Sequence, residues 1–381
     1  MRPLEIGLNL IHAMPEIGGG WNYIGGLVSA LGEHERSHRY VAFVSPVSRV
    51  LVRHARIEIV PVKVDARSRL RRVLHEHTQL QRDARARGLD LMHWFANTIP
   101  VFNAVPGVVT VYDLLAFEKG SVYGRARKLY ARAMYPRTIR AAAGIFALSQ
   151  ATAGKLIDVL HADASKIHVI PATVNPSFSA DARLGVPRLR QAAGLPEKFW
   201  LYVAHFYPHK NHVRLLEAYK ALERSGVEPW PLVFRGDDHG CLTDVLDAVR
   251  RLGLDRAVRV LPRLAEEDLP ALYCAARAMV FPSWYEGAGM PVLEALACGC
   301  PVVASDIPAI REYGAGAVRF IDPFSADSIT AALREVQQSE ASGILRVSTG
   351  LDVAAGHRPE VIARTLAEAY TRAARRGAPT G

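Results

Sequence analysis

The sequence predicts an α/β protein made of two Rossmann-like halves. Short apolar and β-branched runs alternate with helical stretches along the 381 residues, and the alternation pauses between Pro176 and Pro196 before it starts again. Alternating strands and helices are typical of parallel sheets covered by helices. The length also favours two domains, because a single core rarely grows beyond roughly 250 to 300 residues.

The first half opens with the strand, glycine turn and helix that typically begin a parallel sheet, at residues 5–11, 18–20 and 23–31. Further strands are predicted at 40–43, 57–62, 91–94, 108–111, 144–148 and 167–170. The uncharged stretch 91–112 has the length of a membrane span. Because it contains Pro, Gly, Asn and His residues, we predict that it forms two strands joined by a loop and not a membrane span.

The second half repeats the pattern, with strands predicted at 200–204, 232–234, 258–261, 278–281 and 301–304 and a helix near 215–222. A last helical pattern covers 359–374. We therefore divide the chain into a first domain, 1–185, a second domain, 186–358, and a C-terminal helix and tail, 359–381.

The composition is that of a folded globular protein, with 50% apolar and 22% charged residues. The four cysteines form no CxxC pair and have no histidine at metal-ligand spacing. We expect free thiols in a reducing compartment, with neither disulfides nor a zinc site. The N-terminus lacks the layout of a signal peptide, which predicts a cytoplasmic protein.

The net charge of +10 lies in the first half, where residues 1–180 carry 23 Lys and Arg against 13 Asp and Glu. This excess suggests an anionic partner, and we predict an anionic membrane surface or a phosphate-bearing, lipid-linked acceptor. Basic residues concentrate at 67–72 and at 125–140, where they are interleaved with apolar ones. A merely solvated Arg-rich surface fits the same pattern.

The most informative segment is FPSWYEGAGMPVLEALACGCPVVASD, residues 281–306. It predicts a buried strand, a glycine loop that begins with Glu286, and a helix that opens at Pro291. The amides of Gly287, Ala288, Gly289 and Met290 lie at that helix start, where they can approach phosphate or sugar oxygens. Glu286 and Glu294 can accept hydrogen bonds from diol hydroxyls.

This phrase resembles the signature of the retaining family-4 glycosyltransferases, in which two glutamates are separated by seven residues. The resemblance implies that Glu286 recognises the donor sugar and Glu294 the nucleotide ribose. A second similar segment is YVAHFYPHKN at 202–211, where the family has a basic residue and a lysine that neutralise the donor diphosphate. Lys210 matches the lysine, whereas His205 stands where many members carry Arg.

Two segments of the first half resemble the family more loosely. Gly19 and Gly20 look like a glycine pair that approaches the donor phosphate or the acceptor. Tyr112 and Asp113 end an apolar strand where members carry His-Asp near the transferred sugar. A phenol such as Tyr112 can hydrogen-bond a sugar hydroxyl.

The resemblance implies the GT-B fold, in which two Rossmann-like domains face each other across a cleft and the final helix crosses back to the first. The second domain would bind a nucleotide-diphosphate sugar, with GDP-mannose as our first candidate, and the first would take a glycan or lipid-linked acceptor hydroxyl. Neither a metal nor a cofactor is implied. Lys210 and helix dipoles would stabilise the leaving diphosphate, and the acceptor would attack from the front face with retention of configuration. The protein would act at the inner face of the membrane.

Two alternatives stay open: a sugar-nucleotide epimerase of the same architecture and a non-catalytic homologue. A nicotinamide-dependent oxidoreductase is disfavoured because the glycine fingerprint of dinucleotide binding is missing. We expect no nucleic-acid partner, since no nucleic-acid-binding module is recognisable.

Overall fold

The computed structural model describes residues 2–118, 121–262, 264–339 and 347–377. The chain forms two compact units, Met1–Thr173 with His357–Gly381, and Val174–Gly356. Each unit is a fully parallel sheet with flanking helices, which confirms the prediction of two Rossmann-like halves. Residues 378–381 of the predicted C-terminal tail lie outside the described residues.

The first unit has a seven-stranded sheet of order β3-β2-β1-β4-β5-β6-β7. Its strands are β1 (Glu5–Asn9), β2 (Arg39–Val44), β3 (Ile57–Pro61), β4 (Leu91–Trp94), β5 (Gly107–Val111), β6 (Gly144–Ala147) and β7 (Ile167–Val169). All residues of β4, β5 and β6 are buried, because layers cover both faces of the sheet. This is why these strands read as unbroken apolar runs in the sequence.

The helices of the first unit are α1 (Gly19–His34), α2 (Arg69–His77), α3 (Gln79–Ala86), α4 (Arg125–Ala141) and α5 (Gln150–Leu160). Helix α1 begins earlier than the sequence predicted. Gly19 and Gly20 are its first two residues and are not part of a turn. Gly18 is the N-cap residue, and its positive φ of 57° is a conformation that glycine adopts readily.

The C-terminal helix, here numbered α14 (Pro359–Gly377), packs against α1, β5 and β6. Its Tyr370 hydroxyl is 2.7 Å from Nδ1 of His93, whose Nε2 is 2.7 Å from the hydroxyl of Thr110. All three side chains are buried, and burial holds the pKa of His93 well below its usual value. A Cβ atom on Gly144 would lie 2.9 Å from Ala373, so glycine permits this close approach.

The second unit has a six-stranded sheet of order β10-β9-β8-β11-β12-β13. Its strands are β8 (Trp200–Val203), β9 (Leu232–Arg235), β10 (Val258–Val260), β11 (Ala278–Phe281), β12 (Val302–Ser305) and β13 (Val318–Ile321). The helices are α6 (Val186–Ala193), α7 (His212–Arg224), α8 (Leu242–Leu252), α9 (Leu269–Ala275), α10 (Met290–Ala297), α11 (Pro308–Gly314), α12 (Ala326–Gln338) and α13 (Val347–Ala355).

The chain enters the second unit at Val174, earlier than the boundary at 185/186 that the sequence suggested. Val174 packs with Leu293 and other apolar residues of the second unit. Phe178 lies edge-on to Tyr273, with their ring centroids 6.0 Å apart. These contacts explain why the polar-looking segment before α6 belongs to the second unit.

Candidate active site

The two central strands of the second sheet, β8 and β11, are neighbours in space but not in sequence. The strand order reverses between them, and parallel α/β sheets bind ligands at the carboxyl ends of the strands at such a point. The loop after β8 carries His205 and Lys210, and the loop after β11 carries Glu286. The fold therefore places these three predicted site residues at the switch point.

Asn211 ties the loops together. It adopts a left-handed conformation with φ 63°, and its side-chain amide donates to the carbonyl oxygens of Pro282 at 3.0 Å and Pro323 at 2.7 Å. The Ser283 hydroxyl also donates to the carbonyl of His209 at 3.1 Å. These bonds hold Lys210 against the loop that carries Glu286.

Lys210 and Glu286 form an ion pair, with Nζ 2.6 Å from Oε1. Their side chains are only 14% and 10% exposed. The ammonium also lies 5.5 Å from the centre of the Phe281 ring. Such a pair contributes little to folding, because desolvation offsets much of the attraction. It does place one positive and one negative group side by side at the switch point.

His205 is held as a neutral imidazole. Burial and the neighbouring His239 lower its pKa to about 4. Its Nδ1 accepts the backbone N–H of Asp237 at 3.0 Å, so the ring proton is on Nε2. His205 can therefore donate a hydrogen bond but carries no positive charge near neutral pH. It differs in this respect from the arginine that many family members have at the same position.

The glycine loop before α10 is shaped by Tyr313, whose hydroxyl donates to the carbonyl oxygens of Ala288 at 2.8 Å and Gly289 at 2.9 Å. Gly289 caps the helix with φ 64°, and a Cβ there would lie 2.6 Å from the Tyr313 hydroxyl. The helix begins at Met290, one residue before the predicted Pro291. Gly287 lies in the loop that leads to this cap.

Glu294 lies in the second turn of α10 and is partly buried. Its Oε2 accepts the Tyr273 hydroxyl at 2.8 Å. Burial raises its pKa to about 7, although the Tyr273 hydrogen bond and the charge of Arg235 oppose that rise. Glu286 and Glu294 therefore differ in their partners: one faces an ammonium and the other a phenol.

In the first unit, Gly20 and Tyr112 lie together. A Cβ on Gly20 would be 3.8 Å from the Tyr112 ring, whereas a Cβ on Gly19 would meet no atom within 4 Å. The Tyr112 hydroxyl is buried without a hydrogen-bond partner among the described residues, and burial raises its pKa. The Asp113 carboxylate accepts the backbone N–H of Leu115 at 2.9 Å, so it shapes the turn after β5.

Sequence reasoning did not identify Asn211, Tyr273 or Tyr313 as parts of the site. Asn211 had one local signal, since asparagine adopts the left-handed conformation more readily than most other residues. The tyrosines had none, because their partners are 21 to 25 residues away in the chain.

Two surface grooves of about 400 and 420 Å³ run along α14, and no predicted site residue lines them. Within the described ranges, no group of three or more His, Cys, Asp or Glu residues is arranged to hold a metal ion. The same residues include no helix that is both long and apolar enough to span a bilayer.

Two family sequence models match the chain. The model described as "Glycosyl transferases group 1" matches residues 187–347, and the one described as "Glycosyltransferase Family 4" matches residues 17–178. Together they cover most of both units. The stretch with the two glutamates and the stretch with Lys210 both lie within the first match.

The O-antigen chain mannosyltransferase B of Escherichia coli is 29% identical over 246 residues, which is 64% of this chain and 64% of that protein. The match thus spans slightly less than two thirds of this relative. Sucrose-phosphate synthase from Thermosynechococcus elongatus has a TM-score of 0.75 at 18% identity, covering 97% of this chain and 98% of that chain. Anabaena HepE in complex with UDP and glucose also has a TM-score of 0.75 at 18% identity, covering 97% and 99%. At such identities the two structures support the fold alone.

Proposed function

We propose that this chain, which belongs to the group 1 glycosyltransferases and has their GT-B fold, transfers a hexosyl unit from a nucleotide-diphosphate sugar to an acceptor hydroxyl. The observation that carries the proposal is the Lys210–Glu286 pair, held at the switch point of the second sheet. A cation next to a carboxylate matches a ligand whose diphosphate is followed directly by a polyhydroxylated sugar.

Lys210 would bind the diphosphate and stabilise the charge that develops as it leaves. Glu286, released from Lys210, would accept hydrogen bonds from sugar hydroxyls. Glu294 would bind the ribose diol, with the Tyr273 hydroxyl fixing one of its oxygens. His205 would donate from Nε2 to a phosphate or sugar oxygen. We propose no metal and no cofactor, because the lysine and the α10 N-terminus can supply the stabilisation.

The acceptor oxygen would bond to the anomeric carbon as the bond from that carbon to the diphosphate oxygen breaks. The hydroxyl proton would pass to the departing diphosphate. Attack from the face that the diphosphate leaves retains the configuration and requires no protein nucleophile. Tyr112 and the α1 start at Gly19 and Gly20 would line the acceptor side, where Asp113 positions the turn.

We propose GDP-mannose as the donor, because the E. coli relative is a mannosyltransferase. A thermal-shift panel of GDP-, UDP- and ADP-sugars tests this, since a ligand that binds the folded state raises its melting temperature. GDP-mannose should give the largest shift. A larger shift with a UDP- or ADP-sugar would replace this donor.

Transfer is tested by release of nucleoside diphosphate from the preferred donor, with and without a lipid-linked oligosaccharide extract. Release should require the extract, and the sugar should enter the lipid fraction with its anomeric configuration retained. An epimerised sugar formed without acceptor would identify an epimerase instead. Neither activity, despite binding of the donor, would identify a non-catalytic homologue.

We also propose that the first unit rests on the anionic cytoplasmic face of a membrane. Six large hydrophobic side chains are exposed on α2, α4 and the loop after β4, and we call them the apolar patch: Leu70, Leu74, Val101, Phe102, Leu129 and Tyr130. The Arg69 guanidinium lies 4.6 Å from the centre of the Tyr130 ring, and the Val101 N–H donates to His77 at 3.4 Å. These contacts join the three segments.

Exposed basic residues lie on the same two helices as most of this patch, including Arg69, Arg71, Arg125 and Arg132. Apolar side chains with basic residues on the same surface can insert into the interface of an anionic bilayer. Each basic residue near that surface contributes about 1 kcal/mol to the free energy of binding. Sedimentation with anionic and neutral vesicles at low salt tests the proposal. Leu70→Ser should weaken binding to anionic vesicles, whereas Leu184→Ser, at an 89% exposed leucine of the second unit, should not. Equal sedimentation with both vesicle types would refute it.

A further inference from the structure

A buried polar cluster lies at the switch point of the first sheet, between β1 and β4, and we call it the first-sheet cluster: Asn9, His12, Arg72 and Glu76. Asn9 ends β1 and is level with Trp94 at the end of β4. His12 follows three residues later and is 7% exposed. Helix α2 supplies the other two residues, so the cluster faces the carboxyl ends of the central strands.

The members of this cluster are connected to one another. The Asn9 amide donates to Oε1 of Glu76 at 2.9 Å, and Nε of Arg72 is 3.9 Å from the same oxygen. The charge of Arg72 is near enough to His12 to lower its pKa, which burial brings to about 4. His12 is therefore a neutral ring near the Arg72 guanidinium, which in turn lies near the Glu76 carboxyl group.

Two buried atoms of this cluster lack hydrogen-bond partners among the described residues: Nδ1 of His12 and Nε of Arg72. The backbone of Phe95 lies near the His12 ring and partly opposes the lowering of its pKa, which fits a ring that donates toward a carbonyl oxygen. A neutral ring with its proton on Nε2 keeps a lone pair on Nδ1, which can then act as an acceptor. Unpaired buried polar atoms destabilise a fold, so a ligand that pairs with both atoms would bind favourably here.

The available groups define the chemistry of a ligand. Arg72 offers hydrogen-bond donors, while Glu76 and His12 offer acceptors. Each hydroxyl of a vicinal diol both donates and accepts, so a diol can satisfy both kinds of group at once. A phosphate has acceptors only, and it would meet the Glu76 carboxylate and the lone pair on Nδ1 of His12.

We propose that the first-sheet cluster binds the vicinal hydroxyls of the acceptor's terminal sugar. This inference rests on the proposed glycosyl transfer and assigns Arg72, Glu76 and His12 to recognition of the acceptor. Arg72 donates to hydroxyl oxygens, while Glu76 and Nδ1 of His12 accept hydroxyl protons. The recognised group is therefore an uncharged sugar, and any phosphate of a lipid-linked acceptor binds elsewhere.

The test titrates the full-length protein with methyl α-D-mannopyranoside by saturation-transfer NMR, with phenyl phosphate as the competing probe. Glu76→Gln keeps the shape of the side chain but removes the charge, and it should weaken glycoside binding by roughly ten- to a hundredfold. The matched control is Glu58→Gln, an exposed carboxylate on β3 of the same unit, which should bind the glycoside like the wild type. Equal glycoside binding by the two variants would overturn the inference. The inference would also be overturned if Glu76→Gln bound phenyl phosphate more tightly than the wild type does.

A second measurement needs no variant and so does not depend on the folding of Glu76→Gln. The ¹⁵N resonance of Nδ1 in His12 should shift when the glycoside is added to the wild type, and an unchanged resonance would overturn the inference. Nucleoside diphosphate binding is measured on the same samples. Its absence from the wild type would refute the proposed transfer, whereas intact nucleotide binding without glycoside binding would refute only the acceptor site.

Discussion

Replacing Lys210 by alanine should reduce turnover far more than any other lysine substitution in the second unit. The ammonium would otherwise make a charge-assisted contact to the leaving diphosphate, worth about 1.5 to 3 kcal/mol. If that contact strengthens in the transition state, turnover falls by roughly ten- to a hundredfold. The matched control is Lys220→Ala on α7, where the lysine pairs with Glu223 and lies outside the site loops.

The substitution should also affect stability, because Lys210 is not a solvent-facing lysine. Its loss leaves the Glu286 carboxylate, 10% exposed, without its cation at 2.6 Å. Breaking a fully buried pair costs about 3 to 5 kcal/mol, and the remaining exposure of both side chains reduces our expectation to about 1 to 3 kcal/mol. The double variant Lys210→Ala/Glu286→Gln removes the unpaired charge, so it should regain stability without regaining turnover.

The assay measures release of nucleoside diphosphate at saturating donor, together with urea unfolding of the same preparations. Turnover is corrected for the folded fraction, which separates loss of chemistry from loss of structure. Near-normal turnover of a folded Lys210→Ala protein would refute the assignment of Lys210 to the diphosphate. A double variant that is no more stable than the single one would show that the unpaired Glu286 carboxylate does not cause the loss of stability in Lys210→Ala.

Glu294→Gln should weaken the binding of free nucleoside diphosphate measured by calorimetry. Glu286→Gln should bind the nucleoside diphosphate as tightly as the wild type, but this variant should discriminate poorly between donor sugars. Equal losses of nucleotide binding in both variants would refute the division of roles. Burial raises the pKa of Glu294 to about 7, so the protonated form is favoured by folding. Protonation of Glu294 therefore stabilises the fold, by an amount on the order of 1 to 3 kcal/mol. This stabilisation is present below about pH 4 and is lost as pH rises through 7. Glu294→Gln should therefore be more stable than the wild type at pH 8 but not at pH 4. A pH-independent difference in urea unfolding would contradict this. Gly289→Ala should lower the melting temperature more than Gly253→Ala, because both glycines have positive φ but only the first has a neighbour in the way, the Tyr313 hydroxyl at 2.6 Å. Similar melting temperatures would show that backbone strain alone accounts for both losses.

The sequence predicted the order of elements well wherever a strand is buried on both faces. Such strands appear as apolar runs, and β4 and β11 were located to the residue. Strand β13, in which Arg319 and Phe320 are half-buried, was missed, although the other edge strands β3, β7 and β10 were predicted. The start of α1 was misplaced because Gly19 and Gly20 have poor helix propensity, which the packing of the helix overrides.

The candidate site divides in a similar way. Glu286 and Glu294 were proposed from one segment that resembles the family and Lys210 from another, and the fold brings Lys210 and Glu286 into direct contact. That contact was not predictable, because it depends on the adjacency of β8 and β11, which a strand pattern does not reveal. The neutral state of His205 was also hidden, since it depends on the backbone N–H of Asp237, 32 residues away.

Glu286 and Glu294 have different environments, and this difference bears on how a donor would bind. Glu286 is neutralised by Lys210, while Glu294 has a phenol as its hydrogen-bond partner and a pKa near 7. A diphosphate that bound Lys210 would compete with Glu286 for the same ammonium, and would so release the carboxylate for the sugar hydroxyls. In the proposed transfer, binding of phosphate and recognition of sugar would thereby be coupled through one lysine. A donor with both groups would satisfy both partners, whereas a free sugar would have to separate the ion pair without supplying a replacement anion.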